Sequence, residues 1–105
     1  MNDPEIGRQL DAMLERLGRA VEALDRDDIE AEIVPGKVDI ELSTGKRLIL
    51  SRQSSTNQIW LAEPAGGWRF DLRGGQWICD KRGVELVATL ERLLSAQLGA
   101  PVKLG

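Results

Sequence analysis

Six carboxylates crowd into eleven residues, "EALDRDDIEAE", at positions 22–32. Glu22, Asp25, Asp27, Asp28, Glu30 and Glu32 offer oxygen ligands only, and oxygen suits hard cations such as Mg, Ca, Mn or ferric iron. Two features separate this run from a merely solvated face. Asp25, Asp27 and Asp28 fall at or just past the end of a predicted helix, where the dipole disfavours each acid by roughly 0.3–1 kcal/mol. If Pro35-Gly36 makes a two-residue hairpin turn, Glu32 lies opposite Asp39 and Glu30 opposite Glu41, and like charges directly opposite repel. A bound cation relieves that repulsion. No EF-hand spacing is present, so weak, shared, solvent-exposed coordination is expected rather than a cage. The plainer alternative is a solvated face that protects a sheet edge. It is supported by Glu15–Arg19 and Glu22–Arg26, two i,i+4 pairs in the favourable order.

Much other chemistry is excluded. The chain of 105 residues has no histidine and a single cysteine, Cys79. Ser–His and Cys–His nucleophiles, an intrachain disulfide, and multi-cysteine zinc or iron–sulfur sites are therefore ruled out within it. No apolar run approaches the roughly 18 residues of a membrane span. The start, MNDPE, has neither the basic region of a signal peptide nor transit-peptide character, so a cytoplasmic protein is expected. The net charge of −3 is unevenly spread. Residues 1–41 hold twelve acids against five bases, a net −7, and residues 42–105 hold nine bases against five acids, a net +4. That polarity suggests a cationic partner for the first part.

A second candidate is "NQIWLAE", residues 57–63. In a strand with Ile59 and Leu61 facing the core, Gln58 and Trp60 share the other face. Arg69, Asp71 and either Arg52 or Gln53 join them there, whereas Trp68 and Trp77 fit the core. Trp among Gln, Asn and Arg is the composition of a protein-binding hot spot. The ordinary alternative is a Trp60 half covered by arginines in cation–π contact. Single-stranded nucleic acid is a poor fit, because one exposed aromatic is one stacking platform and the net charge is negative.

The elements that position these groups follow from periodicity. Asp3-Pro4-Glu5 reads as a helix start, and apolar residues at 6, 10, 13, 14, 17, 20, 21 and 24 predict a helix over about 4–24. Five or six alternating strands follow, punctuated by Pro35-Gly36, Thr44-Gly45, Gly66-Gly67 and Gly74-Gly75. Val84, Val87, Leu90, Leu94 and Leu98 predict a second helix over about 84–98, ended by Gly99 and Pro101. The tail "PVKLG" either adds a strand or packs. Each helix has one apolar stripe and the sheet one apolar face. The expected fold is α+β, a single domain over 1–105: a two-layer α/β sandwich with an antiparallel sheet and both helices on one face.

The segments "SRQSSTNQIWLAEPAGGWRFDL" and "GGQWICD", with Asn57, Gln58, Trp60, Leu61 and Ala62 and then Trp77 to Asp80, resemble the central sheet of the frataxin family, in its bacterial CyaY-like branch. The resemblance runs from about Asp28 to the end of the second helix, and the order of elements is the frataxin order. It implies an iron-binding protein of iron–sulfur cluster assembly. Such proteins act on a cysteine desulfurase and a scaffold protein as regulator and iron donor, and hold no cluster themselves. The implied iron region is an acidic ridge, mapping onto Glu22, Asp25, Asp27, Asp28, Glu30 and Glu32, with Asp11 and Glu15 further back. The implied partner surface maps onto Gln53, Asn57, Gln58, Trp60 and Arg69. Arg16, Arg19 and Arg26 interrupt the helical acids, so the ridge is thinner here. Asp39 and Glu41 come from the register argument alone. A monomer is expected, with iron-induced oligomers left open. The rival readings are a ferroxidase, for which no residue set looks built, and a sheet-face binding module with no iron role.

Overall fold

The computed structural model describes residues 4–104; the predicted cap at Asp3 lies outside them. Helix α1 (Pro4–Glu22) turns Leu10, Leu14, Leu17 and Val21 inward at i,i+3/i+4 spacing, and all four are buried. It is shorter than predicted. Leu24, counted in its stripe, sits in a turn, and Asp25 takes a left-handed conformation, φ 51°, that stops the helix.

Six strands follow: β1 (Ile29–Val34), β2 (Lys37–Leu42), β3 (Arg47–Gln53), β4 (Gln58–Glu63), β5 (Gly66–Arg73) and β6 (Gln76–Cys79). They form one antiparallel meander in the order β1-β2-β3-β4-β5-β6. The two-residue turn at Pro35-Gly36, with Gly36 at φ 77°, sets the register predicted from sequence: Ile33 opposite Val38, Ala31 opposite Ile40, Ile29 opposite Leu42. One face of the sheet carries Val38, Ile40, Leu48, Leu50, Ile59, Leu61, Phe70 and Trp77, all buried. Burying a side chain of this size stabilises by about 1.5–3 kcal/mol. Both helices cover that face, α1 over β1 to β3 and α2 beside β6. The fold is the expected two-layer sandwich.

Helix α2 spans Leu86–Leu98. Its predicted start at Val84 is corrected: Val84 is exposed, and its carbonyl accepts from the Cys79 amide, which ties it to β6 instead. Glu85 caps the helix, its carboxylate accepting from the amides of Val87 and Ala88. Gly99 ends it in the left-handed conformation, as predicted. The tail packs rather than pairing. Val102 and Leu104 are buried, their amides donating to Ser95 Oγ and Glu91 Oε2 at 3.0 and 2.7 Å. Gly18 lets α1 lie close on β1, since a Cβ there would sit 2.5 Å from Ile33 Cγ1.

Candidate functional site

The acids divide into three groups. Asp11, Glu15 and Glu22 stand on α1, each beside an arginine. Asp11 Oδ2 is 2.7 Å from Arg52, Glu15 Oε1 is 3.2 Å from Arg19, and Glu22 Oε1 is 3.9 Å from the same Arg19. The expected Glu22–Arg26 pair does not form, because Arg26 turns to Asp28. Its Nε and Nη2 donate to the two carboxylate oxygens at 2.8 and 2.7 Å. This bidentate pair holds the Asp28 carboxyl below its ordinary range, chiefly through the hydrogen bonds from Arg26, and raises Arg26 in turn. Asp25 and Asp27, in the turn, are exposed and have no basic partner among the described residues.

The third group lies on the outer face of the sheet. Glu30 faces Glu41 and Glu32 faces Asp39, as the register argument required. Together they line a shallow hollow closed by Arg47, whose guanidinium is 3.3 Å from Glu41 and 3.8 Å from Asp39. Arg47 thus offsets part of the cross-strand repulsion, and Glu30 and Glu32 have no basic partner among the described residues. Asp39 Oδ1 is enclosed and has no hydrogen-bond partner among the described residues. A neighbouring hollow joins the turn to the sheet through Asp27, Asp28, Glu30 and Glu41. Among the described residues no three acids converge closely enough to form a preformed metal site. What the arrangement can do is hold a hydrated hard cation loosely, through one or two carboxylates at a time.

Further along the same face, Ser51, Trp60 and Arg69 form one row across β3, β4 and β5. Trp60 is 38% exposed, as alternation predicted. No arginine stacks on it among the described residues; the cation–π contacts fall on the buried Trp68 instead, with Arg82 3.7 Å and Arg92 5.6 Å from its ring centre. A groove lined by Ile49, Trp60, Ala62, Trp68, Arg69 and Arg82 runs beside it. Gln53 lies on this outer face, hydrogen-bonded to Ser51, whereas Arg52 points to the helix side and reaches Asp11. Asn57 sits in the β3–β4 turn at φ 54°. Gln58, placed among the contact residues from sequence, is only 9% exposed. Its Oε1 accepts from Trp60 Nε1 at 3.0 Å, and its Nε2 donates to Asp71 Oδ1 and Asp80 Oδ2 at 3.0 and 3.3 Å. Asp80 is 3.6 Å from Arg69 and Asp71 3.6 Å from Arg73.

The family model of the frataxin-like domain matches residues 1–100. The chain belongs to the frataxin-like family. That family binds iron and serves iron–sulfur cluster assembly. Among solved structures, this frataxin-like chain is similar to the frataxin of Psychromonas ingrahamii at 26% identity. The TM-score is 0.90, with 100% of this chain and 99% of that one covered. It is also similar to a trimeric frataxin of the yeast Saccharomyces cerevisiae complexed with ferrous iron, at 28% identity and TM-score 0.69, covering 90% of this chain and 86% of that one. The same yeast protein with its full-length N-terminus, also trimeric, matches at 27% identity and TM-score 0.74, over 84% and 77% of the two chains.

Set on the frataxin-like fold, the residues named from sequence occupy two regions of one molecule, an acidic end at α1, β1 and β2 and an aromatic centre on β4. Sequence reasoning missed Asp80, the second carboxylate on the Gln58 amide. The signal was faint, since Asp80 follows β6 and lies outside any alternation. It also missed Arg47 as the base within the acidic hollow, although Arg47 stands opposite Glu41 across β2 and β3.

Proposed function

We propose that this chain binds iron weakly at its acidic end and docks on a cysteine desulfurase and its scaffold protein, regulating cluster assembly and handing on iron. It acts by binding rather than by turnover. The observation that carries the reading is the set Asp25, Asp27, Glu30 and Glu32. These are exposed carboxylates with no basic partner among the described residues, Asp25 and Asp27 in the turn after α1 and Glu30 and Glu32 on the edge strand β1, which shares its outer face with Trp60. An acidic end of this kind complements a basic patch on a partner, with strong dependence on salt. Trp60 supplies the apolar anchor, and Gln53, Asn57 and Arg69 surround it. Iron and the partner then draw on some of the same carboxylates. Iron-loaded oligomers are a further part of the proposal, supported by the trimeric yeast relatives.

The test is an amide-shift map of labelled protein, titrated first with ferrous iron and then separately with desulfurase. Iron is expected to move residues 22–32 and leave 57–62 quiet; the desulfurase is expected to move both. Scattered or absent shifts on iron addition sink the iron role. Partner affinity that stays flat from low to high ionic strength sinks the acidic docking surface. The second reading, a sheet-face module with no iron role, draws on the lack of three converging acids among the described residues. It predicts desulfurase shifts at 57–62 alone.

A further inference from the structure

We infer that Gln58 is a positioning residue for Trp60: its buried amide holds the indole in the outward pose in which the ring meets a partner. The inference rests on the reading of Trp60 as the docking anchor. An indole N–H is a donor only, and ionised carboxylates are acceptors only. Both hydrogens of the Gln58 Nε2 are used, one by Asp71 at 3.0 Å and one by Asp80 at 3.3 Å. The oxygen is thereby turned to Trp60 Nε1, 3.0 Å away. A flipped amide would set its oxygen against two carboxylates and its N–H against the indole N–H. The network therefore has one arrangement, and the amide orientation follows from the chemistry of its neighbours.

Charged acceptors on one side of an amide polarise it and strengthen the bond on the other. Asp71 and Asp80 are themselves steadied by Arg73 and Arg69. Gln58, at 9% exposure, offers a partner little surface. Its contribution to binding passes through the ring, whose ordering is complete before the encounter. Removing that preorganisation costs about two- to tenfold in affinity.

A double-mutant cycle reads this directly. Affinity for the cysteine desulfurase is measured for the wild type, Q58L, W60F, the double variant and W60A. W60F keeps a ring but has no N–H to donate. Q58L is expected to weaken binding about two- to tenfold in the wild-type background and to have no further effect with W60F. An equal loss in both backgrounds overturns the inference, because a merely structural role would act whatever ring stands at 60. A loss in W60A with none in Q58L also overturns it and leaves the docking surface standing. No loss in W60A removes the docking reading, and the positioning role with it. A second measurement needs no variant of Gln58: hydrogen exchange at the Trp60 indole in the unmodified protein, with its signal assigned through W60F. Exchange slower than that of free indole supports the bond, and exchange at the free rate overturns it, even if Q58L does not fold.

Discussion

Substituting Gly18 with alanine puts two effects of known sign against each other. Gly18 is buried inside α1, one turn before its C-terminal end. In a helix interior alanine is favoured over glycine by about 1 kcal/mol. A Cβ at this position, however, would stand 2.5 Å from Ile33 Cγ1 and 2.7 Å from Ile33 Cδ1, with Val38 Cγ1 at an ordinary 3.5 Å. Carbon contacts are most favourable at about 3.5–4.0 Å, so Ile33 must rotate or α1 must lift by roughly 1 Å. Overpacking of that size costs about 1–3 kcal/mol. Ile33 lies on an edge strand and is partly exposed, so it yields more readily than a central core residue, and the lower half of that range applies. G18A is therefore expected to destabilise by up to about 1 kcal/mol once the helical gain is subtracted. In an I33A background the obstructing atoms are gone and only propensity remains, so the same substitution is expected to stabilise by about 1 kcal/mol. Urea unfolding of the four proteins, compared at constant m, measures both arms. A G18A that stabilises equally with and without Ile33 would refute the close-approach argument. The contact matters for function as well, since it sets the spacing between the carboxylates of α1 and those of β1.

Other perturbations test the acidic end and the second helix. R26Q removes the bidentate partner of Asp28. Its carboxyl is expected to rise toward its ordinary value in an NMR titration, and ferrous affinity to increase about two- to fivefold, the weight of one screened surface charge; unchanged affinity would exclude Asp28 as a ligand. Because Asp28 is held low in the folded state, the contribution of this pair to stability is complete above the unfolded-state value of about 4. It is lost as pH falls through the lower folded-state value, and an acid-unfolding curve of R26Q against wild type should diverge only above that range. E85A deletes the cap of α2 and is expected to cost about 1 kcal/mol in chemical denaturation, whereas E85S should retain most of it. L104A empties a buried site in the tail and should cost about 2–3 kcal/mol. E91A, which frees the Leu104 amide, should cost about 1–2 kcal/mol, and the two losses should not add, since both undo the same tail contact.

Periodicity carried most of the fold. Two-residue alternation around Pro35-Gly36 is enough to specify which residues face one another, because a slip of one position would turn Ile29, Ala31 and Ile33 to solvent. The exposure of Trp60 and the like-charged pairs Glu30–Glu41 and Glu32–Asp39 follow from the same rule. Val84 shows where the rule runs out. It has the right spacing for the α2 stripe, but Glu85 is the better cap, and the carbonyl of Val84 is claimed by Cys79. Side-chain partners were less legible still. Arg26 has acids within reach on both sides, and only the geometry of the turn selects Asp28 over Glu22. Burial of Gln58 was hidden because it is imposed by Asp71 and Asp80, which lie 13 and 22 residues away in the chain. Alternation assigns a face but says nothing of how crowded that face becomes.

The meander has a consequence for how the molecule assembles. Each strand pairs with the one just made, α1 rests on β1 to β3, and α2 rests beside β6. Contacts of this kind close short loops, so little chain entropy is spent before each is rewarded, and folding rates rise as contacts become more local. During synthesis, α1 and the first three strands can meet once Gln53 has emerged, before the aromatic strand β4 exists. The acidic end is then built ahead of the strand that carries Trp60. Val102 and Leu104, made after α2, shut the apolar layer behind it. A chain stalled short of them would hold its sheet register but keep an open seam, and such a species is the one most exposed to aggregation or proteolysis.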